Sequence, residues 1–182
     1  MTTPHVLLLT GPDTPGVLSG LFDALAQLRC QLGDMQVSRL AGRCSGVVVF
    51  DAPDGVDRTT VLAGLEPLSA RGITIQVDPL EGERALRHRP NSRPFVVSYN
   101  GADRPRMLEL LTHALDDFGC DFVSMSTDVV VGDNADAHVF VCEVDAPPDT
   151  DTDSLQAVCN AVGQQCNVSF LVMPANLDEV AN

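Results

Sequence analysis

The stretch that decides the fold occurs twice: GPDTPGVL at residues 11–18 returns as GADRPRML at residues 101–108. Gly, Asp, Pro and Leu recur in register, 90 positions apart, and the similarity continues at Leu21 and Leu111 and at Cys30 and Cys120. A second match, Asp-Ala-Pro at 51–53 and 145–147, is 94 positions apart, so extra residues lie inside the second copy. Solenoid repeats have periods of roughly 20 to 50 residues. The longer period here predicts a tandem duplication of a whole small domain.

Length and charge narrow the class of protein. The 182 residues fit one large or two small domains, and the repeat favours two. A formal net charge of −14, with arginine as the only cationic residue type besides histidine, argues against direct contact with a nucleic-acid backbone. No apolar run reaches the roughly 20 residues of a membrane helix, and the N-terminus lacks a secretory signal. We expect a cytoplasmic protein with reduced cysteines; a redox pair of Cys159 and Cys166 is the alternative.

Apolar periodicity predicts the order β-α-β-β-α-β in the first copy. Asp13 or Thr14 is predicted to cap the first helix, with Pro15 in its first turn and residues 31–33 at its end. Pro67 is predicted to kink or shorten the second helix. The predicted elements are strand 5–10, helix 15–30, the hairpin of strands 35–40 and 46–50, helix 57–69 and strand 73–77.

The second copy repeats this order, which predicts an α+β protein with two helices on one face of each four-stranded antiparallel sheet. Its predicted elements are strand 95–99, helix 105–118, strands 122–131 and 137–145 around a turn at 132–136, helix 152–162 capped by Thr152 or Asp153, and strand 168–172. The predicted boundaries are domain 1 at 1–81, a linker at 82–93, domain 2 at 94–175 and a tail at 176–182. The basic stretch 81–93 is either an anion or partner site, or a linker whose arginines lie against acidic neighbours.

Known enzymatic motifs are missing from the sequence. It has no nucleophile elbow, no P-loop, no zinc-protease motif and no dinucleotide fingerprint. The four histidines, at 5, 88, 113 and 138, are scattered, and we expect each to be structural. Asp116 and Asp117 are adjacent on a predicted helix and therefore point to different faces. We expect no catalytic activity, no cofactor and no metal.

The loop from Gly11 to Gly16 remains as a candidate binding site. Its backbone amides open a helix, and the partial positive charge of a helix N-terminus suits a small carboxylate such as that of an amino acid. Gly16 leaves room for a ligand, and Asp13 can hold an ammonium group or cap the helix. The alternative is that both residues serve only the packing and capping of the helix.

With this loop, this topology and this duplication, the chain resembles the ACT domain family over residues 5–80 and 94–173. ACT domains are modules that sense small molecules, often amino acids. The resemblance implies a ferredoxin-like fold in both copies, with ligands bound near the loop after the first strand, where ACT domains pair. It carries over to Gly11, Asp13, Thr14, Pro15, Gly16 and Val17. In the second copy it carries over to Gly101 and Asp103, whereas Arg106 stands where the family has glycine and either blocks the pocket or supplies a cation.

The resemblance implies a non-catalytic regulatory protein that binds an amino acid, forms homo-oligomers and acts on a protein partner, without direct contact to nucleic acid or membrane. Tandem ACT pairs of about this length resemble regulators of the glycine cleavage system. They also resemble the front half of some bacterial phosphoserine phosphatases, so a regulatory half of a longer enzyme is one alternative. A pairing module that binds no ligand is another.

Overall fold

The computed structural model describes residues 2–80, 88–131 and 137–175. The chain divides into two compact units, Met1–Arg84 (unit 1) and Ala85–Asn182 (unit 2). Each unit contains one four-stranded sheet. The predicted turn at 132–136, the tail from 176 and the part of the linker at 81–87, with Arg84 and Arg87, lie outside the described residues.

Unit 1 has the predicted β-α-β-β-α-β order, with its second helix in two pieces. Its strand order is β2-β3-β1-β4, and every pairing is antiparallel. Pro67 lies in the first turn of α3, and the break at Leu65 confirms that the second helix is interrupted. The elements are β1 (Thr2–Pro12), α1 (Val17–Gln27), β2 (Gln31–Leu40), β3 (Arg43–Pro53), α2 (Arg58–Gly64), α3 (Glu66–Ser69) and β4 (Thr74–Pro79).

Unit 2 repeats this architecture with the strand order β6-β7-β5-β8. Its second helix is one continuous element, because no proline interrupts residues 152–166. The elements are β5 (Arg93–Gly101), α4 (Met107–Asp117), β6 (Asp121–Val130), β7 (Ala137–Ala146), α5 (Thr152–Cys166) and β8 (Leu171–Pro174). Both units therefore have the predicted ferredoxin-like α+β fold.

In each unit the helices cover one face of the sheet. Leu7 and Leu9 of β1 are buried and pack in one cluster with Leu21 and Leu25 of α1, whereas Leu8 between them is exposed. This alternation follows from the two-residue period of a strand. Unit 2 has an equivalent core around Phe95, Val97, Leu111 and Leu115. The opposite face of each sheet carries exposed apolar side chains in both units, including Leu8, Val47, Val141 and Leu171.

Three predicted boundaries are wrong. Residues 31–33 do not close α1, because the helix ends at Gln27, the chain turns through Arg29 at a φ of 58°, and Gln31 already begins β2. Asp151, rather than Thr152 or Asp153, caps α5, and the helix continues past residue 162 to Cys166. The last strand begins at Leu171 instead of residue 168, since the chain first turns at Asn167 with a φ of 54°.

All six cysteines are free thiols. Burial raises the pKa of Cys142 to about 12 and those of Cys120 and Cys159 to about 11. These thiols therefore stay protonated and unreactive at neutral pH. None of the helices in the described ranges has the length and apolar character needed to cross a membrane.

Candidate functional site

Gly16 sets the start of the first helix. It adopts the left-handed conformation, with a φ of 85°, and the N–H of Gly20 donates to its carbonyl at 3.0 Å. The helix therefore begins at Val17, and no side chain caps it. The predicted caps Asp13 and Thr14 are wrong because both residues lie in the turn before Gly16, and Pro15 lies in that turn as well. The amides of the first turn are left without a side-chain partner, which suits an anionic group.

Asp13 contacts the β2–β3 hairpin instead of the helix. Its backbone N–H donates to the carbonyl of Gly42 at 2.9 Å, and its carboxylate lies 3.4 Å from the Arg39 guanidinium. The side chains are 34% exposed for Asp13 and 76% for Arg39. An exposed ion pair of this kind contributes little to stability. The Asp13 carboxylate is therefore free to exchange Arg39 for another cation.

Arg71 holds the loop from the other side, a role that the sequence did not indicate. Its Nη2 donates to the Thr14 hydroxyl at 2.9 Å and to the Pro15 carbonyl at 2.6 Å. Its Nη1 lies 3.7 Å from the point where a Cβ on Gly16 would stand. Arg71 is 57 positions from Thr14, and no local pattern connects the two. In the sequence, the glycine after Arg71 indicated a turn there, and in the structure Gly72 has a φ of 82°.

A cavity of about 260 Å³ lies along this loop. Asp13, Thr14, Pro15, Gly16 and Val17 line it, so the structure brings together five of the predicted site residues. The other lining residues are Leu18, Ser19, Val37, Arg39 and Cys44. The cavity combines a carboxylate, open helix amides and an apolar wall. This arrangement matches a small zwitterion, with its ammonium at Asp13 and its carboxylate at the helix start.

Gly11 and Gly101 do not line this cavity, and their surroundings give each a packing role. A Cβ on Gly11 would lie 2.6 Å from the Ile73 side chain and 2.9 Å from the Gly72 carbonyl. A Cβ on Gly101 would lie 2.5 Å from the Tyr99 hydroxyl, which donates to the Ala102 carbonyl. Backbone atoms of Gly72 and Ile73 therefore require glycine at position 11, whereas a Cβ at position 101 would have to displace the Tyr99 ring.

The corresponding loop of unit 2 is arranged differently. Arg106 takes the place of Gly16 with the same left-handed backbone, at a φ of 64°, and α4 begins directly after it. Its Nε and Nη2 donate to the two carboxylate oxygens of Glu109 at 3.0 and 3.1 Å. This pair raises the pKa of Arg106 and lowers that of Glu109. Asp103 and Arg106 do not line the cavity of about 630 Å³ in unit 2, which lies beside Gly101, Arg104 and Asn160.

Each unit has an arginine near this loop, but at a different position in the fold. In unit 1 the loop position is Gly16, and the arginine is Arg71 in the turn before the last strand. In unit 2 the loop position is Arg106, and the residue just before the left-handed turn of Asn167 is Cys166. The Cys166 thiol is close enough to contribute to the raised pKa of Arg106, after Glu109. An arginine at both positions of one unit therefore has no precedent in this chain.

The described part of the basic stretch lies against acidic neighbours. Arg89 pairs with Asp121, and its backbone N–H donates to Asp145 at 2.7 Å. The His88 ring lies 2.8 Å from Asp145 and 3.4 Å from Glu143. These contacts favour the interpretation of 88–93 as a docked linker. No group of three or more potential metal ligands occurs among residues 2–80, 88–131 and 137–175.

Two ferredoxin-like units in tandem, with an open helix N-terminus beside the first strand of unit 1, define a small two-domain α+β protein. Residues 4–78 match the sequence model of the ACT domain family. Unit 1 therefore matches the ACT domain in sequence, and unit 2 repeats its strand order, which fits a tandem ACT architecture.

Solved structures share the whole architecture. An unknown protein from Galdieria sulphuraria superposes with a TM-score of 0.80 at 17% identity, with 96% of this chain and 99% of that chain covered. A protein provisionally identified as a glycine cleavage system transcriptional repressor superposes with a TM-score of 0.61 at 13% identity and the same coverage. At these identities the likeness concerns the fold. A search of the curated proteins found no match.

Proposed function

We propose that this chain is a non-catalytic regulatory protein that senses an amino acid at the loop of unit 1. The observation that carries the proposal is the cavity at the start of α1, where the helix amides have no side-chain cap and Gly16 adds no side chain. The ACT family match over this same unit supports it. The fold shared with a protein provisionally identified as a glycine cleavage repressor makes amino-acid metabolism the first place to look for the ligand.

In the proposed binding mode, the ligand carboxylate accepts hydrogen bonds from the first-turn amides, and its ammonium replaces Arg39 at Asp13. Arg71 does not line the cavity; it fixes the loop through Thr14 and Pro15. Val37 and Cys44 face the ligand side chain. A cavity of about 260 Å³ is large enough for a small amino acid.

Regulation by such a ligand requires a surface that responds to it, and we propose that this surface is used for pairing with another protein chain. The faces of the sheets opposite the helices are exposed, with apolar residues such as Leu8 and Val47 in unit 1. Exposed sheet faces and edges of this kind mark association sites. Ligand bound at the loop would change the pairing geometry, and oligomers of this chain are the first assembly to test.

A thermal-shift screen against the twenty amino acids tests the proposal. A ligand at about 100 times its Kd stabilises the folded state by about 2.7 kcal/mol, which a melting curve resolves readily. We expect one or a few small amino acids to raise the Tm, with the corresponding amino-acid amides, which lack the carboxylate, as negative controls. A protein that melts at the same temperature with all twenty would contradict the proposed sensing role.

A further inference from the structure

His5 occupies a core position of unit 1. Its side chain points to the helix-covered face, is only 5% exposed, and stacks on Phe50 with ring centroids 5.4 Å apart. Nδ1 lies 3.0 Å from the Thr3 carbonyl, and because a carbonyl only accepts, Nδ1 carries the proton. In this tautomer Nε2 carries an acceptor lone pair.

A cavity of about 670 Å³ lies against His5, at the end of unit 1 away from the loop of Gly16. The two carboxylates that line it belong to Asp54 and Asp57, and its cation, Arg58, lies 3.8 Å from Asp78. Hydrogen bonds from Thr60 lower the pKa of Asp57, which is therefore ionised at neutral pH. The remaining lining residues are Thr3, His5, Pro53, Gly55, Val56, Thr60 and Pro79.

Unit 2 builds the same corner without a histidine. Phe95 occupies the position of His5: each pairs with a proline of the last strand, Pro79 for His5 and Pro174 for Phe95. The fold therefore does not need a histidine at this position. The histidine at this position is therefore a departure of unit 1 from the residue that unit 2 uses.

The space that is open in unit 1 holds a guanidinium in unit 2. Arg93 stands at the register position of Thr3, since Thr3 pairs with Ala52 and Arg93 pairs with Ala146. The Arg93 guanidinium lies 5.8 Å above the Phe95 ring, and its Nη1 donates to the Thr150 carbonyl at 2.7 Å. It is also among the groups that lower the pKa of the helix cap Asp151, after two bonds from Ser154.

Each group around Arg93 has a counterpart in unit 1. The ring is that of His5, the carbonyl is that of Val56, and the cap carboxylate is that of Asp57, which accepts from Thr60 as Asp151 accepts from Ser154. The turns also match, because the N–H of Val56 donates to Pro53 and that of Thr150 donates to Pro147, both at 3.0 Å. What unit 1 lacks is an arginine at the register position of Arg93, because Thr3 stands there, and the Arg58 guanidinium lies near Asp78 instead.

We propose that this corner of unit 1 is a binding site for a small guanidinium-bearing molecule, which takes the place that Arg93 fills in unit 2. The guanidinium stacks on the His5 ring, donates to the Val56 carbonyl and pairs with Asp57. A planar cation uses all three groups at once, whereas a primary ammonium cannot stack in this way. The site is separate from the proposed amino-acid site and does not depend on it.

Methylguanidinium is the probe, titrated by calorimetry and by the ¹⁵N shift of His5 Nε2, with methylammonium as the comparison cation. We expect one methylguanidinium site per chain, a shift of Nε2, and affinity for methylammonium lower by about tenfold, the factor that loss of stacking and of one charge-assisted bond produces. Thr3→Arg copies unit 2 and should abolish binding without lowering the Tm. Thr3→Val, which keeps the size of the side chain, should bind as the parent does.

Arg93→Thr is the reciprocal variant and should raise the stoichiometry from one site to two by opening the corner of unit 2. If Thr3→Arg binds methylguanidinium as tightly as the parent, or if the Nε2 shift does not move in the parent, the proposal is overturned. Equal affinity for methylammonium and methylguanidinium would also overturn it, because the stacked geometry would then contribute nothing.

Discussion

Replacing Gly16 tests both the geometry of the loop and the proposed amino-acid site. A residue with a side chain at a φ of 85° loses about 1 kcal/mol relative to glycine. Gly16→Arg also places a second guanidinium beside Nη1 of Arg71, which lies 3.7 Å from the new Cβ. The repulsion is at most about 1 kcal/mol, the value for two like charges about 4 Å apart in water, because the flexible arginine can turn away from Arg71. We therefore expect Gly16→Ala to destabilise unit 1 by about 1 kcal/mol, and Gly16→Arg to destabilise it by more than that, up to about 2 kcal/mol.

Further substitutions in unit 1 that introduce the neighbours of Arg106 in unit 2 should restore part of the stability lost in Gly16→Arg. In unit 2 the arginine at the loop faces Cys166 and pairs with Glu109. Gly16→Arg combined with Arg71→Cys removes the like-charge contact, but it also removes the Arg71 bonds to Thr14 and Pro15. Adding Ser19→Glu at the position of Glu109 gives the new arginine its partner. Urea unfolding followed separately for each unit supplies the assay, because unit 2 is unchanged and acts as an internal control.

Binding supplies the second measurement on the same variants. Gly16→Arg should abolish binding of the amino acid found by thermal shift, measured by calorimetry, because the new side chain would cover the amides at the start of the helix. Gly16→Ala should retain most of the affinity, because its Cβ meets only ordinary contacts. If Gly16→Arg binds as tightly as the parent, the ligand does not sit at the start of α1. If Gly16→Ala and Gly16→Arg lose equal stability, the repulsion from Arg71 is wrong.

Three further predictions concern the helix caps, the acid sensitivity of unit 2 and the exposure of the thiols. Asp13→Ala should weaken amino-acid binding without a measurable loss of Tm, whereas Asp57→Ala, which removes a true cap, should lower the Tm and leave binding unchanged. Burial opposes ionisation of Asp145, but hydrogen bonds from the Arg89 N–H and the His88 ring outweigh it and lower the pKa of Asp145. The stability that this carboxylate contributes is therefore present above about pH 4 and is lost as the pH falls through the folded pKa. In urea unfolding, the free energy of unfolding of Asp145→Asn should depend less on pH in the acid range than that of the parent, and an unchanged dependence would contradict this. Iodoacetamide followed by mass spectrometry should label the partly exposed thiols Cys30 and Cys166 before the buried Cys44, Cys120, Cys142 and Cys159, and early labelling of Cys142 would refute the burial argument.

The order of elements could be predicted from the sequence because it depends on local patterns. The apolar run at 6–9 indicates a strand, the spacing of Leu21 and Leu25 indicates a helix with one apolar side, and the duplication shows each pattern a second time. Pro67 likewise acts within its own helix, and its effect was predicted correctly. Such features require no knowledge of what the element packs against.

The start of α1 could not be predicted, because Asp13, Thr14, Pro15 and Gly16 all suit a helix N-terminus by residue type. The choice among them depends on the backbone turn at Gly16 and on where Asp13 finds partners. Those partners are Gly42 and Arg39, on a hairpin about thirty positions away. Arg71 was missed for the same reason, since its contact with Thr14 spans most of the unit.

The duplication separates residues that build the fold from residues that do something else. Where both copies keep the same residue in the same contact, as Asp57 and Asp151 do at their helix caps, the fold explains it. Where the copies differ at one register position, one unit shows what the fold accepts and the other shows a departure. His5 against Phe95 and Gly16 against Arg106 are departures of this kind, and both border cavities of unit 1. In each case unit 2 fills or neutralises the corresponding place with its own arginine, Arg93 or Arg106. Unit 1 is therefore the half in which ligand sites should be sought, and unit 2 supplies the template for closing them one at a time.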